Sequence, residues 1–253
     1  MKTQKINKTR VKKGFVKSIE TYRKHAIVQE AIASRLINKL SSISKGNFTR
    51  VLEIGCGPAI LTEKFFSNFA VEQYLANDIV SEYADILDNI DSNIQFLNGD
   101  IEAINLPREL DLIISSSTLQ WLSDLELFLE HVFESLKSES YLVFSSFGPD
   151  NYREIREVEG KGLDYLTFAK HERLLSKHFD VIWSDRENII RYFSSPMAVL
   201  QHMKQTGVNG IPGKAWNKSD LNKFIEKYQD LFGTELGVPL TYQPIYFIAK
   251  PKK

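Results

Sequence analysis

Val51-Leu52-Glu53-Ile54-Gly55-Cys56-Gly57-Pro58 runs an apolar strand straight into paired glycines, and a helix-like stretch follows from Ala59 to Phe69 with Leu61, Phe65 and Phe66 on one face. Strand, tight turn and helix form the opening unit of a parallel α/β sheet. The glycines let the backbone turn sharply and approach a ligand closely. The helix N-terminus then offers free N–H groups to an anion. A dinucleotide-binding loop reads G-x-G-x-x-G. Gly55 and Gly57 fit, but the third glycine position is Ile60. A bulky side chain there opposes a pyrophosphate and suits a smaller anionic end, such as an amino-acid carboxylate. Glu53 points the same way, because it would meet an ammonium through a hydrogen bond or a water.

The rhythm continues outward from this loop. Gln73 to Asn77 reads as a second strand, Ser81 to Ile90 as a serine-capped helix, Ile94 to Leu97 as a third strand and Leu112 to Ser115 as a fourth. Leu125 to Leu136 is amphipathic, and Tyr141 to Phe144 is a fifth strand. Such alternation predicts a mostly parallel sheet with helices on both faces. Asp78 ends the second strand, 21 residues after Gly57, where a carboxylate accepts from ribose hydroxyls. Asp100 ends the third strand, where it would meet an adenine amino group. Any one acid at a strand end is more often a cap. Three at successive strand ends, with E-x-G-x-G on the first, favour a ligand carrying ammonium, carboxylate, ribose and adenine: S-adenosylmethionine. Cys56 in the loop, Ile79 after Asp78 and Ile101 after Asp100 join the expected cofactor-binding set.

After Phe147 the rhythm loosens. Residues 150–178 read as helical, 181–193 carry strand-like pieces, Ser195-Pro196 opens a helix through Lys204, and Ser219 to Phe232 is another. Gly207, Gly210, Pro212 and Gly213 mark a loop between them, and Ile245 to Ala249 is a closing strand. The expected organisation is an N-terminal basic arm and helix (1–44), an α/β core (45–192), an inserted helical lobe over the sheet (193–233), and a closing strand of the core (234–253).

Composition bounds the function. The 253 residues are 43% hydrophobic and 25% charged, ordinary for a globular chain. No apolar run approaches the roughly 20 residues that span a membrane. Cys56 is the one cysteine, so no internal disulfide forms, and a reducing compartment, the cytoplasm, is expected. No metal site is expected. Net charge is zero but segregated: residues 1–24 hold nine Lys/Arg against one Asp/Glu, and residues 51–140 hold three against seventeen. The basic arm reads either as a solvated tail or as an attractor for a negative partner.

The core residues resemble the class I methyltransferase family, over roughly 45–147. A closer likeness spans nearly the whole chain. Phe15, Tyr22, Ala26, Gln29, Leu119-Gln120-Trp121, Phe147-Gly148, Gly162-Leu163-Asp164-Tyr165 and His202 to Asn209 resemble the malonyl-[acyl-carrier protein] O-methyltransferases of biotin synthesis. Ser18 departs from that pattern, which often has alanine there. The resemblance implies a seven-stranded, mostly parallel Rossmann-like sheet, with a helical lid inserted before the last strand. It also implies methyl transfer to the free carboxylate of a malonyl thioester on acyl carrier protein, or on coenzyme A. Tyr22 and Gln29 would then lie over the cofactor, Ser116 beside its methionine end, and the lobe over the substrate.

Ser115 to Trp121 contains no acid, histidine, cysteine or lysine. That absence suits a carboxylate acceptor, whose pKa is near that of Asp, about 3.9. Such a nucleophile arrives ionised, so the protein need only position and partly desolvate it. Gln120 and Trp121 are expected to shape the substrate wall. A cation is expected from the lobe, from Arg191, His202 or Lys204, with Tyr22 as a neutral donor. Lys12, Lys13, Lys17, Arg23 and Lys24 are placed to steer an acidic carrier. Four rivals stand beside this reading. A nicotinamide dehydrogenase lacks its third glycine, and Tyr246 and Lys250 lie in a strand rather than a helix. A nucleic-acid amino methyltransferase would place Asn/Asp-Pro-Pro-aromatic where Ser115 to Thr118 stands, so no nucleic-acid partner is expected. A methyltransferase for another small carboxylic acid, or a non-catalytic cofactor-binding module, is left open.

Overall fold

The computed structural model describes residues 6–44, 46–160, 162–208 and 216–253. Two helices, α1 (Lys8–His25) and α2 (Ile27–Ile43), precede an α/β core. The core runs β1 (Phe48–Ile54), α3 (Ile60–Phe66), β2 (Val71–Asp78), α4 (Ala84–Asp88), β3 (Gln95–Asn98), β4 (Leu110–Ser115), α5 (Leu125–Ser135) and β5 (Leu136–Phe147). Helices α6 (Arg153–Glu159) and α7 (Phe168–Leu175) lead to β6 (Phe179–Arg186) and β7 (Ile189–Phe193). Helices α8 (Pro196–Gln205) and α9 (Lys218–Phe232), then β8 (Val238–Tyr242) and β9 (Pro244–Pro251), complete the chain.

Seven strands form one sheet in the order β3-β2-β1-β4-β5-β9-β6. The first five are parallel, and β9 runs antiparallel between β5 and β6. This is the expected seven-stranded Rossmann-like sheet. Its central strands are buried on both faces, which explains why they read as nearly continuous apolar runs. Val51, Leu112, Val143 and Ile248 pack with α2 residues such as Ile32 and Leu36. Leu52, Ile113, Leu142 and Phe247 pack on the other face with α5 residues such as Phe128 and Val132. Strand order reverses between β1 and β4, so the loops after them diverge and open a crevice at their carboxyl ends.

The lobe differs in its boundaries from the 193–233 expectation. Strands β7 and β8 pair antiparallel as a separate two-stranded sheet, with Arg191 opposite Leu240, and this ribbon ties the lobe's two ends together. Residues 234–253 therefore divide between the ribbon and the closing strand β9. The Gly210-Pro212-Gly213 loop lies outside the described residues, as does Asn209. The N-terminal segment is no solvated tail from Lys8 onward. Asn7 caps α1 by accepting from the Arg10 N–H, and the helix packs against α8. There the Thr21 hydroxyl donates to the Gln205 carbonyl at 2.9 Å. Ser18 is fully buried and donates to the Phe15 carbonyl. A Cβ on Gly207, where φ is +71°, would fall 2.7 Å from the Ser18 hydroxyl, so only glycine lets α8 close onto α1.

Candidate active site

The crevice holds a pocket walled by the loops after β1, β2, β3 and β4 and roofed by α1 and α2. Gly55 and Gly57 take positive φ, 68° and 51°. A Cβ on Gly55 would lie 2.7 Å from that of Thr118, whereas one on Gly57 would meet nothing within 4 Å. Gly55 thus lets the β4 loop close against the β1 loop, and Gly57 leaves open space for a ligand. The Cys56 N–H donates to the Asn77 carbonyl at 2.9 Å, and Asn77 Nδ2 donates to the carbonyls of Leu97 and Gly99. Three adjacent strand ends are knitted into one rim.

Asp78 is positioned by two backbone N–H groups, Gly57 at 2.9 Å and Val80 at 2.8 Å. Burial pushes its carboxyl up to about 6, against those two donors, which pull it down. Asp100 lines the far end of the pocket, where Lys8 of α1 pairs with it at 2.5 Å and also with Glu102. Ile79 and Ile101 also line this pocket. So do Tyr22 and Gln29 from the helices, and Ser116 after β4. Burial drives the Tyr22 hydroxyl well above its usual range, so it stays a neutral donor.

Glu53 belongs behind the wall rather than on it. It is fully buried, and its Oε2 accepts from Thr62 and from Tyr74, both at 2.6 Å. Burial raises its carboxyl to about 7. Its Oε1 has no partner, and the same is true of Gln29 Oε1, Tyr83 Oη and Ser117 Oγ around the pocket. Buried polar atoms without partners are uncommon in native proteins and ask for a polar ligand or ordered water. Strand-end acids, an open glycine cradle and unpartnered polar atoms fit an amino acid joined to a nucleoside.

A second cavity adjoins the first through Val11, Trp121 and Leu122, which line both. Gln120, Phe147 and Tyr165 lie on its wall. Gln120 and Trp121 thus both line this cavity. The lobe cations do not. Arg191, His202 and Lys204 line neither cavity. The Arg191 guanidinium lies 5.5 Å from the Phe193 ring centre, on the two-stranded ribbon. His202 is buried, its Nε2 2.5 Å from the Tyr242 hydroxyl. Burial, and then Arg191, lowers its pKa to about 4, so it is neutral near pH 7. Lys204 faces outward on α8. Sequence reading also missed Tyr83, Ser117 and the roof residues Lys8, Val11 and Phe15. The roof was legible in principle, since 8, 11, 15 and 22 recur at helical spacing.

A strand-order switch with a glycine loop and acids at its strand ends defines a methyltransferase of the S-adenosylmethionine-dependent, Rossmann-like class. A methyltransferase-domain family matches residues 52–144. Solved structures agree on the fold. A Mesorhizobium loti S-adenosylmethionine-dependent methyltransferase superposes with TM-score 0.51 at 15% identity, covering 84% of this chain and 96% of that one. The YcgJ protein of Bacillus subtilis gives 0.60 at 14%, covering 87% and 98%. Sequence relatives are more specific. The Bacteroides thetaiotaomicron malonyl-[acyl-carrier protein] O-methyltransferase is 38% identical over 98% of this chain and 100% of its own. Those of Prosthecochloris aestuarii and Haemophilus influenzae are 36% and 32% identical, over 96% and 97% of this chain and 93% and 95% of theirs. The chain belongs to the malonyl-[acyl-carrier protein] O-methyltransferase family.

Proposed function

We propose that this protein methylates the free carboxylate of a malonyl thioester carried on acyl carrier protein. The observation that carries this reading is the junction of the two cavities. It is lined by Val11, Trp121 and Leu122, with Ser116 and Ser117 on the wall of the first cavity, and these residues supply neither acid nor base. When bound, S-adenosylmethionine supplies an electrophilic methyl group on a sulfonium. Asp78 would accept from the ribose hydroxyls and Asp100 from the adenine amino group, while Glu53, from behind the loop, would meet the ammonium through water. Gly57 leaves room for the carboxylate end.

The acceptor would approach through the second cavity. A carboxylate oxygen would take the methyl group as its bond to sulfur breaks, so no residue would need to give or take a proton. The protein's contribution is orientation and exclusion of water by Trp121, Leu122 and the α1 roof. The resulting ester would mask the malonyl charge, so that fatty-acid enzymes extend the unit toward pimeloyl for biotin synthesis in the cytoplasm. Lys13, Lys17 and Lys24 lie exposed on one stripe of α1, which favours attraction of an acidic carrier. Arg23 is instead engaged by Glu63.

The test uses S-adenosylmethionine labelled in its methyl group, offered with malonyl-carrier protein, malonyl-coenzyme A or free malonate. Base-labile label on the malonyl-carrier protein supports this reading. Label only on free small acids favours a different carboxylate substrate, and cofactor binding without transfer favours a non-catalytic module.

A further inference from the structure

Ser117, two residues beyond β4, has φ +57°, a left-handed conformation that residues with a Cβ rarely adopt. Its surroundings hold it there. The Ser117 N–H donates both to the Ser145 carbonyl at 3.2 Å and to the Ser145 hydroxyl at 3.1 Å, so β5 fixes it from below. Its own carbonyl accepts from Gln120 Nε2 at 2.5 Å, which fixes it from the following turn. Backbone strain that neighbours over-determine in this way marks functional positions.

The side chain it aims is also unusual. Ser117 lines the cofactor pocket, Gln120 lines the adjoining cavity, and the buried Ser117 Oγ and Gln120 Oε1 both lack a hydrogen-bond partner. Of these two atoms only the serine hydroxyl can donate. Two buried, unpartnered polar atoms therefore belong to residues in the walls of the two adjoining cavities, and one of them suits an anion.

We propose that the Ser117 hydroxyl binds the acceptor carboxylate, donating to the oxygen that does not attack and turning the other toward the methyl group. This rests on the function proposed above. It also answers why the lobe cations stand away from the junction. In this displacement a carboxylate and a sulfonium lose their charges together, so the transition state is less charged than the reactants. A cation gripping the carboxylate would stabilise the reactants more than the transition state and slow the step. A neutral hydroxyl in a desolvated passage orients the nucleophile and leaves its lone pair available.

The experiment compares the full-length wild type with Ser117→Ala and Ser117→Gly. Three quantities are measured: acceptor kcat/KM with malonyl-carrier protein, cofactor Kd by calorimetry, and melting temperature. For both variants kcat/KM should fall roughly 10- to 150-fold, the loss of one hydrogen bond to a charged group, with cofactor Kd changing less than about twofold. Ser117→Ala should melt no lower than wild type, because its lost hydroxyl has no partner in the folded chain. Unchanged kcat/KM in either variant overturns the inference, as does a cofactor Kd that rises by the same factor as kcat/KM falls. A wild type inert toward malonyl-carrier protein overturns the parent reading along with this one, whereas an active wild type with unaltered variants overturns this one alone.

Discussion

Asp78 shows how one side chain couples chemistry to pH. Its carboxyl ionises near 3.8 when solvated and is pushed up to about 6 in the folded chain by burial. The sign follows from linkage. Any stability tied to the protonated form is fully present below 3.8 and is lost as pH rises through 6. On the proposed role of Asp78, ribose hydroxyls would donate to the ionised form, so cofactor binding would drive proton release. Cofactor affinity should therefore fall below pH 6, approaching about tenfold per pH unit. Asp78→Asn should weaken binding roughly tenfold or more, the loss of hydrogen bonds to a charged acceptor, and should flatten this acid limb. Calorimetry between pH 5 and 8 reads both effects, and an unaltered acid limb in the variant would assign it to another group. Much of this site was legible because Asp78 and Asp100 end apolar runs, where α/β sheets place ligands. Glu53 was read as a cofactor contact from its place in E-x-G-x-G, a spacing that does not fix its distance from the ligand.

Helix α1 is the element whose role the sequence left most open. Its Lys/Arg content suggested a solvated arm or a docking strip. The structure divides these functions by face: Lys8, Val11, Phe15 and Tyr22 roof the pocket, while Lys13, Lys17 and Lys24 point away. Lys8 latches the roof to Asp100 and Glu102 at the adenine end, and Glu102 in turn accepts from the Ser123 and Asp124 N–H groups. This partly buried latch should contribute about 0.5–1 kcal/mol, so Lys8→Ala should speed cofactor release roughly 2- to 5-fold. Stopped-flow displacement measures the rate. A difference that persists undiminished in molar salt would mean that lost packing, not lost charge, is responsible. The lobe was the least legible region. Strand β8 hides because Pro239 sits inside it, and proline argues against a strand unless the strand lies at an edge. The two-stranded ribbon it forms with β7 is such a place, with Pro239 opposite Tyr192. Residues 150–178 read as one helical stretch, but α6 ends at Gly160, in the left-handed conformation at φ 64° that glycine supplies.

At the scale of the molecule, one sheet sets the chemistry and two covers set access. The parallel half brings four strand ends to one rim, and that part followed from apolar periodicity and turn residues alone. Which side chains meet across the covers depends on contacts far apart in sequence, such as Thr21 with Gln205 or His202 with Tyr242. Arg191 and His202 were expected at the substrate for lack of that information. Within the described residues, no helix is long and apolar enough to cross a membrane, and no group of three or more His, Cys, Asp or Glu could hold a metal ion. The central claim is that the acceptor arrives already ionised and the protein supplies position rather than a base. Single-turnover methyl transfer to malonyl-carrier protein, at saturating cofactor, tests it when followed from pH 7.5 to 9. A rate constant that stays flat across this range is expected. A limb rising tenfold per pH unit would reveal a titrating general base and contradict the account.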